Sequence, residues 1–261
     1  MSDKLAIETD GHILQMTLAR PERKNAVDLD MLIGLAEAYS RLSRDTDLRC
    51  GVLLGHGDVF TAGLDLAAVL PRFVSEGPSA YLQPGQVDPF GLFGPSCRKP
   101  VIVAAHGRCY TVGLELTLAA DLCVAAKGTV FGQQEVTRGI FPFGGATFRL
   151  PAVIGWHNAM KAILAGDKFS AEEAHRMGLV QVLTEPGKHV EAAMELAHRV
   201  SANAPLAVQA ALENARLYQR DGLQSGVEHL QAAGRRIATT RDAREGMMSL
   251  MQKRAARFIG E

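Results

Sequence analysis

Three short, uninterrupted apolar segments constrain the fold of this chain more than any other feature. They are Cys50–Leu54, Val101–Ala105 and Leu122–Ala126, and each has the length of a strand rather than a helix. Strands that are apolar on both faces are typical of parallel sheets covered by helices on both sides. Helical patterns alternate with these segments, so the sequence predicts an α/β fold built on parallel strands. Such folds bind ligands where strand ends lead into helices.

The two ends of the chain have different patterns. Alternating apolar residues around Asp10-Gly11 predict a β-hairpin from Ile7 to Leu18. Asp28 is placed to cap the helix that follows. After Ala146 the sequence is mostly helical, and the predicted helices are Asn158–Leu164, Ala171–Met177, His189–Ser201, Pro205–Arg216, Gln224–Ala238 and Asp242–Arg257.

A segment rich in proline and glycine separates the first two apolar strands. Residues 71–95 hold five of the eleven prolines of the chain. Proline and glycine at this density interrupt regular elements, and long irregular connections often cover a binding site. We therefore predict that residues 71–95 form a long surface loop or lid rather than part of the core.

The composition argues against several classes of function. The chain has 28 Lys and Arg residues against 28 Asp and Glu residues, so no overall positive field favours nucleic acid. Its four cysteines form no CxxC pair and predict neither a disulfide framework nor a zinc site. The start of the chain lacks a signal-peptide pattern, and no apolar run approaches the ~20 residues that cross a bilayer. We expect a protein of the cytoplasm that binds neither nucleic acid nor membrane.

Two glutamates stand in unusual places. Glu115 interrupts the apolar run from Val112 to Ala120, and Glu135 precedes a glycine-rich stretch. A buried carboxyl group shifts its pKa or finds a partner, and two that converge on one pocket form an acid/base pair able to add or remove water. The alternative is structural: Glu115 starts a helix and Glu135 lies at a solvated strand end.

Two strand-to-helix turns add a second kind of candidate. The segments Phe60–Leu66 and Gly107–Gly113 each follow a strand and open a helix. The first N–H groups of a helix lack intrahelical partners and favour anions. Each segment alone is an ordinary turn, but two that face each other would form an oxyanion hole.

Taken in order, these segments resemble the enoyl-CoA hydratase/isomerase, or crotonase, superfamily along nearly the whole chain. The matching segments are Leu18–Ala26, Phe60–Leu66, His106–Leu116, Ala120–Leu122, Phe131–Glu135, Gly166-Asp167, Ala171–Ala174, Gly178–Val180, Glu245-Gly246 and Gln252–Arg254 with Phe258. The resemblance implies a crotonase-like spiral of ββα units with the catalytic site in residues 1–195. Residues 196–261 would be a helical trimerisation region, in homotrimers or in hexamers made of two trimers.

The resemblance also implies an acyl-CoA thioester as the substrate. The backbone N–H groups of Leu64 and Val112 would hold its carbonyl oxygen, Glu135 would transfer a proton at the α-carbon, and Glu115 would activate the water. Residues expected to contact coenzyme A or the acyl group are Arg23, Lys24, Ala62, Leu64, Asp65, Leu66 and Lys253, the last in the C-terminal helix. Neither a metal nor a separate cofactor is expected, because coenzyme A is part of the substrate.

Two positions depart from the family pattern. Val112 stands within a segment where many hydratases have a glycine triplet, and Phe143 stands where they often carry a small residue near the reacting water. Because both glutamates are present, we expect an enoyl-CoA hydratase. Because of the two departures, we keep open a Δ3/Δ2 enoyl-CoA isomerase, or another crotonase-type activity on a branched or aromatic acyl group. A non-catalytic binding protein with the same fold is the alternative from a different class.

Overall fold

A six-stranded sheet and a smaller three-stranded sheet organise the computed structural model, which describes residues 3–261. The strands are β1 (Leu5–Asp10), β2 (Ile13–Leu18), β3 (Cys50–Gly55), β4 (Val101–Ala105), β5 (Arg108–Tyr110), β6 (Leu122–Ala126), β7 (Val130–Gly132), β8 (Lys168–Ser170) and β9 (Val182–Thr184). The large sheet has the order β1-β2-β3-β4-β6-β9, with the predicted β1–β2 hairpin antiparallel and its other pairings parallel.

Helices cover both faces of the large sheet and continue to the end of the chain. They are α1 (Leu29–Arg44), α2 (Leu66–Glu76), α3 (Val112–Ala119), α4 (Ala146–Ile154), α5 (Trp156–Ala165), α6 (Ala171–Arg176), α7 (His189–Ser201), α8 (Pro205–Ala238) and α9 (Arg241–Met251). The α/β prediction and the C-terminal helical region are confirmed.

Alternation along the parallel strands divides the core in two. In β4, Val101 and Val103 belong to the large apolar cluster that contains much of α1. Ile102 and Ala104, which point to the opposite face, belong to a second cluster that includes residues of α7. Because both faces are apolar, the strand shows a continuous apolar run, which is the pattern that predicted parallel pairing.

The small sheet brings the two predicted glutamates together. β5 and β7 pair in parallel, so their carboxyl ends lie at the same edge. Glu115 follows β5 on α3, and Glu135 follows β7 on a short 3₁₀-helix, Glu135–Arg138. Two ββα-like units, one formed by β4, β5 and α3 and the other by β6, β7 and the 3₁₀-helix, therefore place their carboxylates on one side of the molecule.

The prediction that residues 71–95 form a surface loop is wrong in part. α2 continues to Glu76 with Pro71 inside it, and the segment that follows buries Tyr81, Val87 and Phe90. α2 ends at its C-cap Gly77, which has φ 60°. The buried part of the segment is held by Asp88, which the proline pattern does not reveal. Its carboxylate is 1% exposed and accepts hydrogen bonds from the backbone N–H groups of Phe90, Leu92 and Phe93 and from the Tyr81 hydroxyl.

The C-terminal helices differ from the prediction in their bounds. The two helices predicted between Pro205 and Ala238 are confirmed, because the non-helical backbone of Gly222 (φ 84°, ψ −176°) divides α8 into two helices, although the first of them continues past Arg216. α9 ends at Met251. After it the chain reverses direction, and the N–H groups of Ile259 and Gly260 donate to the carboxylate of Asp242. The helix α4 was not predicted. The expected division after residue 195 falls inside α7 and stays a prediction.

None of the helices within residues 3–261 has the length and apolar character to cross a membrane.

Candidate active site

An apolar cavity of about 220 Å³ contains the predicted site. Glu115, Glu135, Leu64 and Val112 all line it. The two carboxyl groups and the two proposed N–H donors come from three separate segments of the sequence, since Val112 and Glu115 share α3, and all four face one cavity. Within residues 3–261 no group of three or more His, Cys, Asp or Glu side chains could hold a metal ion.

Two fully buried polar side chains, Asn25 and Thr61, hold the first turn in place. The Asn25 amide donates to the carbonyl oxygens of His56, Val59 and Phe60 at 2.8–3.1 Å. The Thr61 hydroxyl donates to the Asn25 carbonyl at 2.6 Å and accepts from Gly63 N–H at 3.0 Å. Because buried backbone groups must be paired, this network fixes the course of residues 56–63.

Thr61 also joins the first turn to the second. Its N–H donates to the carbonyl of Arg108, and its carbonyl accepts from the N–H of Tyr110. Gly63 lies against Thr111: a Cβ atom on Gly63 would stand 2.4 Å from the Thr111 hydroxyl oxygen. Gly63 has φ 119°, so both the space and the backbone conformation require glycine there.

The N–H groups of Leu64 and Val112 are free to bind a ligand. The bridge between Leu64 and Val27 uses the carbonyl of Gly63 and the N–H of Asp65, so the Leu64 N–H points the other way. Val112 is the first residue of α3 and has no intrahelical acceptor. Neither N–H donates to another residue of the described range 3–261. Thr111, just before α3, has φ 49°, a strained conformation of the kind often found at functional sites.

Glu115 is buried beneath a glycine loop. Its Oε1 accepts hydrogen bonds from the N–H groups of Gly144 at 2.7 Å and Ala146 at 3.3 Å. A Cβ atom on Gly144 would stand 2.7 Å from Oε2, so any larger residue would displace the carboxyl group. Burial, and then the charge of Glu135, raise the pKa of Glu115 to about 8, against the opposing effect of the two N–H donors.

Glu135 is held by a side chain that sequence reasoning missed. The buried amide of Gln133 donates to Oε1 of Glu135 at 2.7 Å. Oε2 is buried and has no hydrogen-bond partner among residues 3–261. Burial raises the pKa of Glu135 to about 7, while the Gln133 hydrogen bond lowers it. Only the position of Gln133, two residues before the glutamate in Gly132-Gln133-Gln134-Glu135, could have indicated it.

The candidate contacts to coenzyme A divide into two groups. Ala62, Leu64 and Leu66 line the cavity. Asp65 does not, since its carboxylate pairs with Arg20 at 3.0 Å. Arg23 and Lys24 are exposed just before the first turn, where the carbonyl of Lys24 accepts from Ala62 N–H.

Lys253 was expected in the C-terminal helix, and that location is wrong. It follows the end of α9 with φ 52°, where its N–H donates to the carbonyl of Leu250. It is exposed and does not line the cavity. The chain turns here because the last residues pack back towards Asp242.

Glu115→Gln should make the fold more stable at high pH. The raised pKa means that the native state binds this proton more tightly than the unfolded chain does. The free energy of unfolding of the wild type therefore falls as pH rises from the ordinary pKa of 4.5 to about 8. We expect the Tm of the variant to exceed that of the wild type by roughly 10–20 °C at pH 9 and by far less at pH 5.

Differential scanning calorimetry at both pH values measures this difference. The matched control is Glu195→Gln, which makes the same change at an exposed position of α7. A Tm difference for Glu115→Gln that is independent of pH would contradict the buried, proton-binding carboxyl group.

Gln133→Leu should raise the pKa of Glu135 further, by about one unit, because a hydrogen bond to the charged form is lost. A ¹³C NMR titration of labelled glutamate carboxyl groups measures it. Gln134→Leu is the control, since Gln134 lines the same cavity without donating a hydrogen bond to Glu135. If Glu135 had the same pKa in both variants, the positioning role of Gln133 would be refuted.

Comparison with known proteins agrees with this geometry. The sequence model described as "Enoyl-CoA hydratase/isomerase" matches residues 8–261. The chain is 32% identical to Enoyl-CoA hydratase EchA19 of Mycobacterium tuberculosis over 97% of its own length and 95% of the relative. It is 34% identical to (E)-benzylidenesuccinyl-CoA hydratase of Thauera aromatica, over 98% and 99%.

A solved structure of a probable enoyl-CoA hydratase/isomerase from Mycobacterium abscessus superposes with a TM-score of 0.93 at 43% identity, covering 99% of both chains. Fold and sequence thus agree over the full described range, including the segments that carry the cavity. The chain belongs to the enoyl-CoA hydratase/isomerase family, the crotonase superfamily.

Proposed function

We propose that this protein is an enoyl-CoA hydratase, which adds water reversibly across the 2,3-double bond of an enoyl-CoA thioester. The observation that carries the proposal is the convergence of two buried carboxyl groups with raised pKa values and two free N–H groups on one cavity. The names of the hydratases among the relatives support the same reaction class.

The N–H groups of Leu64 and Val112 would bind the thioester carbonyl oxygen. Withdrawal of electron density from this oxygen makes C3 electrophilic and stabilises the enolate that forms when C3 is attacked. One such donor is worth about 3 kcal/mol of transition-state stabilisation. Because the donors are part of the backbone and are held by the Asn25–Thr61 network, little reorganisation accompanies the reaction.

The two glutamates would divide the proton transfers. Ionised Glu115 takes a proton from water through Oε2, which the Gly144 and Ala146 N–H groups leave free, and the oxygen of the water forms a bond to C3. Protonated Glu135 then donates its proton to C2 through Oε2, which has no partner among the described residues. Because the pKa values of both groups are raised to near neutral, the two titrate as a pair that holds one proton, and the form of the pair with this proton on Glu135 is the one that acts in the direction of addition.

A second candidate is a Δ3/Δ2 enoyl-CoA isomerase. Phe143 lines the cavity next to Gly144, whose N–H holds Glu115, and its ring packs against Phe73 and Phe141. These rings reduce the space for water near Glu115. An isomerase needs the same oxyanion site and a proton carrier, but no water.

Glu115→Gln and Glu135→Gln should each lower kcat for hydration by about 10²–10⁴, the usual contribution of an acid or base. The assay follows the absorbance of the conjugated enoyl thioester, which falls on hydration. The exposed Glu195→Gln variant should keep the wild-type rate.

Three results would contradict the proposal. Hydration that persists in the double variant Glu115→Gln/Glu135→Gln would exclude the two-carboxylate mechanism. An increase of absorbance with a 3-enoyl substrate, without loss of a 2-enoyl substrate, would identify an isomerase. Absence of acyl-CoA binding in calorimetry would favour the non-catalytic alternative.

We further propose that the protein works as a homotrimer or as a hexamer of two trimers in the cytoplasm, with no cofactor apart from the coenzyme A of its substrate. Exposed apolar side chains on α8 and α9 support subunit contacts there; they include Leu223, Leu230, Leu250 and Met251. Arg23, Lys24 and Lys253 remain the proposed contacts to the phosphates of coenzyme A.

A further inference from the structure

We infer that the acyl group of the natural substrate carries an aromatic ring, bound among the aromatic side chains of the catalytic cavity. The inference rests on the proposed function and names its substrate class. Five of the nineteen residues that line the cavity are aromatic, whereas aromatic residues make up 6% of the chain. They are Phe73, Tyr81, Phe90, Phe93 and Phe143.

These side chains come from three separate parts of the fold. Phe73 is on α2, Tyr81, Phe90 and Phe93 are on the segment that follows it, and Phe143 precedes α4. Tyr81 and Phe90 pack edge to face, with ring centroids 6.3 Å apart and an interplanar angle of 88°. Phe73 and Phe143 are tilted, with centroids 5.3 Å apart. Aromatic rings prefer such edge-to-face and offset arrangements, so the walls suit another ring.

The size of the cavity agrees with a ring and a short connecting chain. An apolar cavity of about 150 Å³ takes up benzene, and the cavity here measures about 220 Å³. The difference is enough for a few carbon atoms between the ring and the thioester. Most of the other lining side chains are aliphatic, among them Leu32, Leu70 and Ile140. The polar ones are Thr111, Glu115, Gln134, Glu135 and Arg138, and Arg138 is the one cation.

The part of the aromatic wall that follows α2 is held by hydrogen bonds within the protein. The buried Asp88 carboxylate accepts from the Tyr81 hydroxyl at 3.1 Å and from the N–H groups of Phe90 and Phe93 at 3.1 and 2.9 Å. The N–H of Val87 donates to the Ser40 hydroxyl of α1 at 2.8 Å, which joins the segment to the core. A preorganised wall loses little conformational freedom when a rigid ring binds, whereas a long alkyl chain would lose many rotamers.

The test compares hydration of three substrates with equal numbers of acyl carbon atoms by the wild-type protein. They are 5-phenylpent-2-enoyl-CoA, 5-cyclohexylpent-2-enoyl-CoA and undec-2-enoyl-CoA, with but-2-enoyl-CoA as the short reference. We expect kcat/KM for the phenyl substrate to exceed that for the linear substrate roughly tenfold and that for the cyclohexyl substrate about threefold. The cyclohexyl compound separates recognition of the aromatic ring from recognition of its bulk.

A variant of Phe73 tests whether the aromatic wall of the cavity recognises the ring of the substrate. Phe73→Leu should reduce the ratio of kcat/KM between the phenyl and linear substrates at least threefold. Phe148→Leu is the matched control, because Phe148 is exposed and does not line the cavity, and it should keep the wild-type ratio. Because Phe73 is only half-buried, we expect the variant to fold, and the wild-type panel alone decides the inference if it does not.

The outcomes separate this inference from the proposed function. Hydration of but-2-enoyl-CoA with equal or better kcat/KM for the linear than for the phenyl substrate would overturn the aromatic acyl group and leave the hydratase intact. No hydration of any of the four thioesters would overturn the hydratase and the inference with it. A phenyl preference that Phe73→Leu leaves unchanged would overturn the assignment of the ring to this cavity.

Discussion

The hydrogen-bond network of Asn25 and Thr61 is the constraint on which the rest of the site depends. These two side chains are fully buried and satisfy backbone groups of residues 56–63 that no strand or helix pairs. Through the backbone of Thr61 the first turn is also fixed to the second, at Arg108 and Tyr110. A buried amide without hydrogen-bond partners would destabilise the folded state by about 1–3 kcal/mol. The network therefore favours one arrangement of the two turns and one spacing of the Leu64 and Val112 N–H groups.

Burial of Glu115 and Glu135 lowers the stability of the folded state when these groups are ionised. A carboxyl group whose pKa is raised by burial destabilises the folded state wherever it is ionised. The fold limits this penalty for Glu115 with two N–H donors and for Glu135 with one amide, and it leaves the second oxygen of each free. A site of this kind trades part of the stability of the protein for chemistry.

The sequence allowed the fold to be predicted and the groups of the candidate site to be named, for identifiable physical reasons. Apolar runs such as Val101–Ala105 have one stable solution, a parallel strand buried on both faces. Glu115 stands out because its neighbours are apolar. Asp88 gives no such signal, since its role depends on the backbone N–H groups of an irregular segment. For Gln133 the one signal is its position two residues before Glu135. The turn at Lys253 escaped prediction because the carboxylate of Asp242 reverses the chain after α9.

The internal anchoring of the segment around Asp88 has a consequence for how such a protein can diverge. The Asp88 carboxylate binds groups of its own segment, from Tyr81 to Phe93, so the hydrogen bonds that shape this segment are separate from those that hold Glu115 and Glu135. Exchanges at Tyr81, Phe90 or Phe93 can therefore change the shape of the cavity while the N–H groups of Leu64 and Val112 keep their positions. A lineage acquiring new substrates would vary this segment first and keep Asp88, so the segment is a natural unit to graft between relatives.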